Sequence, residues 1–137
     1  MLVQTYLFFE GQCEEALEFY QQALGAKVEM LMRYGDAPDP VPADQIPPGS
    51  EQKILHVSFR VGESVVMASD GHCSGQAKFG GFAVSLQTRD AAEAQRLFQG
   101  LSDGGKISMP IGKTFFSPCF GMVVDRFGIT WMVNTVA

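Results

Sequence analysis

The sequence predicts an α+β fold made of two βαβββ modules whose mixed sheets curl into cups. The order strand-helix-strand-strand-strand occurs twice within the 137 residues. Each helical segment carries one apolar stripe, so it can cover only one face of its sheet. A module this short cannot bury the second face by itself, and the cupped face of each module is therefore expected to pack on something else.

The first module is predicted to cover about residues 1–70 of a single domain, 1–137. Its helix carries Glu14 and Glu15 in the first turn, where the helix dipole favours negative charge. Gly25 is suited to end this helix. The pattern of β-branched, aromatic and turn residues predicts strands at 2–9, 26–34, 53–60 and 64–70 and a helix at 14–24.

The second module is predicted to cover about residues 80–137. Asp90 and Glu93 form a DxxE variant of the capping box at the start of its helix. The same reasoning predicts strands at 81–88, 106–111, 120–126 and 129–135 and a helix at 90–101. The two halves also align residue by residue, with Ala16, Phe19 and Tyr20 matching Ala94, Leu97 and Phe98, and Arg60-Val61-Gly62 matching Arg126-Phe127-Gly128.

A long irregular loop is predicted at 35–52, where the apolar periodicity stops and five prolines occur: Pro38, Pro40, Pro42, Pro47 and Pro48. Proline excludes both a helix interior and a central strand. A loop of this length is unusual in a compact domain. A flap or interface element and a tolerated surface insertion are equally good interpretations.

Composition and charge exclude several classes of function. The formal net charge is −5 and no basic run occurs, which argues against nucleic-acid binding. No apolar run approaches the roughly 20 residues of a membrane span. The N-terminal residues lack the basic region of a signal peptide. Three widely spaced cysteines (Cys13, Cys73 and Cys119) are expected to be reduced thiols, so a cytoplasmic location is predicted.

Several ordered motifs resemble one superfamily. The segment 15–20 followed by Leu24-Gly25 is similar to an "ALxFYxxxLG" signature, and 125–131 is similar to "DxFGxxW". With the segments 6–11 and 67–70, they resemble the PhnB-like branch of the vicinal oxygen chelate (glyoxalase/bleomycin resistance/dioxygenase) superfamily. The resemblance implies a glyoxalase-like fold and a homodimer. Members of this branch are often labelled methyltransferases, but no glycine-rich nucleotide loop follows a strand here.

The resemblance also implies where a catalytic metal would bind. Superfamily enzymes hold one divalent ion with His, Glu or Gln from the first and last strands of each module. Alignment places those positions at Thr5, Val66, Ala83 and Met132. None of these side chains suits a hard or borderline divalent ion. No metal and no other cofactor are therefore expected, although a one-residue slip in register would exchange the two faces of a strand.

The inner faces of the cups are predicted to bind a small organic ligand. Period-two alternation places Thr5, Ala83, Ser85, Gln87, Met132 and Asn134 on these faces, with Val66 and His56 completing the lining. The same alternation directs Tyr6, Phe8, Val84, Leu86 and Trp131 towards the helices. His56 is interpreted first as a hydrogen-bonded structural histidine and second as an acid or base. The neighbouring Asp70, His72 and Cys73 are interpreted as loop polarity.

Two hypotheses remain at this point. The first is a protein that binds a small organic molecule between its modules without a catalytic metal. The second is a metal-dependent lyase, isomerase or dioxygenase with an atypical site. The missing metal ligands favour the first, and whether the chain is an enzyme stays open.

Overall fold

The computed structural model describes residues 1–39 and 45–136. In these residues, eight strands form two mixed four-stranded sheets, and each sheet is accompanied by one α-helix. The predicted α+β fold with a repeated βαβββ order is confirmed. The elements in chain order are β1 Thr5–Phe8, α1 Cys13–Leu24, β2 Lys27–Arg33, a 3-10 turn Tyr34–Asp36, β3 Ile54–Val61, β4 Ser64–Ser69, β5 Val84–Thr88, α2 Ala91–Ser102, β6 Lys106–Gly112, β7 Cys119–Val124 and β8 Thr130–Thr135.

The chain divides into two compact units, Met1–Ala77 and Lys78–Ala137. The sheet of unit 1 has the strand order β1-β4-β3-β2, and that of unit 2 has the order β5-β8-β7-β6. In each sheet the first strand pairs in parallel with the last, and the other two pairings are antiparallel. Both units therefore use the same connections, as the internal repeat predicts.

Helix α1 packs against its sheet through aromatic contacts. The ring of Tyr20 lies 6.2 Å from those of Phe9 and Phe59, measured between centroids. Gly25 ends the helix in the left-handed conformation, with φ of 69°, as its position in the sequence predicts. The helix therefore covers the face of the sheet on which Phe9 and Phe59 lie.

The start of α1 is stabilised by a residue distant in sequence. Gln12 occupies the N-cap position and makes no capping hydrogen bond with its side chain. Instead, one carboxylate oxygen of the buried Asp70 accepts the backbone N–H groups of Gly11 and Cys13. The second oxygen accepts the N–H of Ile54. Asp70 thus joins the helix start, β3 and the end of β4, and its negative charge suits a helix N-terminus.

Helix α2 begins with part of the predicted capping box. Asp90 is the N-cap, and its side chain accepts the N–H of Glu93 at 2.8 Å. Glu93 reaches back to the N–H of Arg89, one residue before the N-cap, and also pairs with the Arg89 guanidinium. The helix packs closely on β7, because a Cβ at Gly121 would lie 2.8 Å from the Phe98 ring.

The predicted irregular loop is described at both ends only, since residues 40–44, which include Pro40 and Pro42, lie outside the described residues. Gly35 N–H donates to the carbonyl of Glu51, and Tyr34 N–H donates to that of Lys53. The Tyr34 hydroxyl donates to the carbonyl of Gly71, and burial raises its pKa to about 12. Both ends of the loop are therefore hydrogen-bonded to other parts of unit 1. The Tyr34 hydroxyl keeps its proton at neutral pH and so remains a donor.

Within the described ranges 1–39 and 45–136, we find no helix with the length and apolarity needed to cross a membrane.

Candidate ligand-binding faces

In unit 1, alternation along the strands separates a helix-covered face from a second face. Because Phe9 and Phe59 contact Tyr20, residues that share their side of the sheet face α1. The pairing of Phe59 with Val66 extends this face onto β4, where Val66 is buried. The opposite side, termed the helix-free face of unit 1, carries Tyr6, Phe8, Met30, Met32, His56, Ser58 and Met67.

The predicted orientation of β1 is wrong. Thr5 and Val66 were expected in the cup, but they pair with each other on the face covered by α1. Tyr6 and Phe8 were expected to face the helix, yet they lie on the helix-free face, where Phe8 is 54% exposed. The predicted assignment of faces is off by one residue along the strand, and such an offset moves every side chain of the strand to the opposite face.

In unit 2 the alternation predicts the faces correctly. Ser85 pairs with Met132 and Gln87 with Asn134, on the side away from α2. Ala83 immediately precedes β5 and has the same parity as Ser85. Trp131 is 1% exposed and belongs to the core, as expected. The helix-free face of unit 2 carries Ser85, Gln87, Met109, Phe120, Met122, Thr130, Met132 and Asn134.

Methionines occupy matching positions on the two helix-free faces. Of the seven methionines in the chain, all except Met1 lie on these faces. One register row crosses each sheet at the same place: Met30, Ser58, Met67 and Tyr6 in unit 1, and Met109, Met122, Met132 and Ser85 in unit 2. Thioether side chains are flexible and polarizable, so such rows adapt to irregular apolar ligands.

A tyrosine–histidine pair gives the helix-free face of unit 1 its most specific polar group. The Tyr6 hydroxyl lies 3.0 Å from His56 Nδ1, and the two ring centroids are 5.5 Å apart. Phe8 adds a third ring, 4.9 Å from Tyr6. His56 is hydrogen-bonded, in agreement with the structural interpretation. It also lies on the face where an acid or base would be needed, so the second interpretation stays a prediction.

We expect His56 to carry its proton on Nε2 when neutral. A tyrosine hydroxyl can donate or accept, and we expect it to donate here because a phenol is a stronger hydrogen-bond donor than a neutral imidazole; the nitrogen that accepts then has no proton of its own. Long-range ¹H–¹⁵N correlation spectra of the protein at pH 8 should therefore show Nε2–H as the main tautomer. Tyr6→Phe keeps the ring and removes the hydroxyl, so His56 should then show a mixture of its two neutral tautomers. Unchanged spectra in this variant would contradict the assignment.

The side chains of Asp70, His72 and Cys73 have separate hydrogen-bonding and burial environments in the described part of the chain. The Asp70 carboxylate is occupied by three backbone N–H donors, and burial raises the pKa of Cys73. His72 contacts the carbonyl of Gln45. Among the residues that the structure describes, no group of three or more His, Cys, Asp or Glu side chains could hold a metal ion. The interpretation of Asp70 as surface polarity is wrong, because it is 1% exposed.

Comparison with known proteins identifies the family. The family model described as 3-demethylubiquinone-9 3-methyltransferase matches residues 2–134. The chain belongs to this family. Among curated members, protein YjdN of Escherichia coli is 36% identical over 141 residues, which cover 99% of this chain and 96% of YjdN.

Solved structures agree with this assignment. Protein PA1353 of Pseudomonas aeruginosa is 39% identical with a TM-score of 0.85, covering 99% of this chain and 98% of that one. A putative 3-demethylubiquinone-9 3-methyltransferase, PhnB protein, of Bacillus cereus is 26% identical with a TM-score of 0.80, covering 99% and 100% of the two chains. The predicted membership of the PhnB-like branch is therefore confirmed.

A more distant structure shows the fold alone. The fosfomycin resistance protein FosX of Listeria monocytogenes, solved with Mn(II) and sulfate, is 9% identical with a TM-score of 0.64, covering 100% of this chain and 90% of that one. A glyoxalase-related enzyme of Fulvimarina pelagi, 16% identical with a TM-score of 0.59 over 98% of this chain and 87% of that one, also shares the fold. The glyoxalase-like fold that the sequence motifs imply is thus confirmed for this chain.

Proposed function

We propose that this PhnB-like protein binds a small, largely apolar organic molecule on the helix-free faces of its sheets without a resident divalent metal. The observation that carries the proposal is the pair of matching rows, which combine three methionines in unit 2 and two in unit 1 with Tyr6, Ser58 and Ser85. Apolar linings with a few hydrogen-bonding groups are typical of small-molecule sites.

The side chains on the relevant strands do not fit a divalent metal of the superfamily type. With the orientation of β1 corrected, the first and last strands present Tyr6, Phe8, Met67 and Ser69 in unit 1 and Ser85, Gln87, Met132 and Asn134 in unit 2. Carbonyl-polarising metal sites rely on imidazole and carboxylate ligands. Gln87 is the single residue among these eight positions that is of a type used by superfamily metal sites, and the others offer neutral oxygens, thioethers and aromatic rings. Neither unit therefore presents imidazole or carboxylate ligands on these strands, which supports the proposal.

Metal analysis separates this proposal from the alternative of a metal-dependent lyase, isomerase or dioxygenase. Protein purified without chelator is expected to contain well below one equivalent of manganese, iron, nickel or zinc per chain. It should also show no lactoylglutathione-forming activity after addition of nickel or zinc. A stoichiometric metal that a chelator removes together with activity would support the alternative.

The methyltransferase in the family description is not carried over to this chain. The strand-to-helix connections after β1 and β5 contain Glu10-Gly11-Gln12 and Arg89-Asp90, without a repeated-glycine turn. Such a turn is what brings a nucleotide-type cofactor close to the backbone in strand–helix sites. The residues therefore favour ligand binding over methyl transfer as the proposal to test first.

We also propose that the protein is a homodimer. The outer strands β2 and β6 expose apolar side chains, with Met30 at 46%, Ile107 at 49% and Met109 at 42% exposure. An edge strand offers unpaired backbone groups to a second chain, and apolar side chains exposed together mark interaction surfaces. Light scattering at micromolar concentration should give about twice the 14.9 kDa of one chain. A mass of one chain at that concentration would contradict this.

A further inference from the structure

An unsatisfied acceptor lies on the helix-free face of unit 2. The side-chain oxygen of Asn134 is buried and has no hydrogen-bond partner among the described residues. Buried polar atoms are nearly always paired in folded proteins, so an exception indicates a missing partner. Register places Asn134 between Gln87 on β5 and Phe120 on β7. The acceptor therefore belongs to a defined row of the sheet.

Two aromatic rings lie beside this acceptor. Phe120 is 5% exposed, and the Phe116 ring packs against it edge-on at 5.0 Å. Thr114 fixes the turn that carries Phe116, because its hydroxyl oxygen accepts the N–H groups of Phe116 and Ser117. Phe116 itself is 55% exposed. A planar molecule can contact the free part of this ring; because the Asn134 oxygen is buried, the molecule reaches that acceptor when the side chains that cover it move aside.

The charge of the surroundings restricts the ligand further. The two register rows of this face carry Ser85, Gln87, Met109, Phe120, Met122, Met132 and Asn134, all of which are uncharged. A charged ligand placed here would lose hydration without gaining a counter-charge. The occupant expected from these rows is therefore neutral.

We propose that Asn134, together with Gln87 and Phe120, forms a subsite for a neutral, planar molecule that donates an N–H hydrogen bond to the Asn134 oxygen. Indole-like rings and aromatic amides have this chemistry. The subsite rests on the proposed ligand-binding function and specifies one class of ligand for it. Met132 and Met122, in the next row, would contact the apolar part of the same molecule.

Two matched pairs of probes test the subsite: indole with 1-methylindole, and benzamide with N,N-dimethylbenzamide. Within each pair the methylated compound lacks the N–H donor. Titrations followed by ¹H–¹⁵N NMR of the whole protein should give dissociation constants roughly threefold to tenfold lower for the N–H compounds, the effect of one hydrogen bond. Asn134→Leu and Asn134→Ala should each abolish this preference.

A stability comparison shows whether Asn134 is retained for the ligand or for the fold. Asn134→Leu removes an unsatisfied atom, so its melting temperature should equal or exceed that of the natural protein. Thr135→Val is the matched control on the opposite face. Thr135 bonds to the Thr88 hydroxyl at 2.8 Å and donates to the Asp90 carbonyl. This control should melt at a lower temperature and keep the N–H preference.

Three results would overturn the subsite alone. They are equal affinity for the members of each pair, a preference that survives in both Asn134 variants, and a change of oligomeric mass in Asn134→Leu, which would assign the acceptor to a second copy of the chain. Equal affinity leaves the proposed function standing, because the probes still bind. If none of the four probes binds, both the subsite and the proposed function are contradicted.

Discussion

Replacing Asp70 by alanine is expected to lower the free energy of unfolding by about 3–5 kcal/mol. Asp70 is 1% exposed and accepts the N–H groups of Gly11, Cys13 and Ile54 at 2.8–2.9 Å. Without the carboxylate, these backbone donors lose their acceptor, and the start of α1 loses a favourable negative charge. Because the donors belong to two segments distant in sequence, the start of α1 and the start of β3, the loss also loosens the packing between them.

Urea denaturation of the Asp70 variant, followed by circular dichroism, measures this effect. Asp103→Ala is the control, since the Asp103 side chain is 78% exposed in a surface ion pair with Arg126. We expect the control to change the free energy of unfolding by less than about 0.5 kcal/mol. An Asp70→Ala variant no less stable than the control would show that the buried carboxylate does not hold these segments together.

Replacing Trp131 by phenylalanine should lower the free energy of unfolding by about 2–3 kcal/mol. The indole N–H donates to the buried carboxylate of Asp125 at 2.8 Å, and Trp131 is 1% exposed. The smaller ring leaves a cavity and deprives that carboxylate oxygen of a donor. The other oxygen of Asp125 keeps the N–H groups of Phe127 and Ile129, so the turn before β8 should still form.

The same variant separates a core residue from a ligand platform. Trp131 lies on the face covered by α2, and Asn134 lies on the other face. Folded Trp131→Phe protein should therefore bind indole with the affinity of the natural protein, measured well below its melting temperature. Tyr6→Phe, on the helix-free face of unit 1, is expected to keep its fold and serves as a comparison. A large loss of indole affinity in Trp131→Phe alone would place Trp131 in the site.

The secondary structure followed from the sequence because the helices and most strands have clear periodicity and turn residues. The main error in extent concerns the first strand, predicted at 2–9 and observed as Thr5–Phe8. Its pairing with β4 begins at Thr5, so the earlier residues have no partner strand. Sequence propensity cannot show where a partner ends, because pairing depends on residues far away in the chain.

The candidate site was predictable in unit 2 and not in unit 1. Strand β8 alternates between Trp131, Val133 and Thr135 on one face and Met132 and Asn134 on the other, and burial follows this pattern. Strand β1 reads Thr-Tyr-Leu-Phe, in which apolar and aromatic residues occupy both faces. Such a segment gives no alternation from which to choose a face.

Sequence patterns could not predict the hydrogen bonds between residues far apart in the chain. Asp70 bonds to Gly11 and Cys13, which are 59 and 57 residues away. The position of Asp70 next to glycine, histidine and cysteine made it look like loop polarity. Only the fold shows that the end of β4 meets the start of α1, and that the carboxylate therefore acts as a helix cap.

The most direct test of metal-free ligand binding uses methionine methyl groups as reporters. Protein labelled with ¹³C at methionine, leucine and valine methyls is titrated with indole in the presence of excess chelator, and the leucine and valine methyls of the helix-covered faces serve as the reference. We expect saturable shifts at Met122 and Met132, unchanged by chelator, with Leu7 and Val133 unaffected. Binding that is lost with chelator and restored by a divalent metal, or no shift at any methionine, would contradict the proposal.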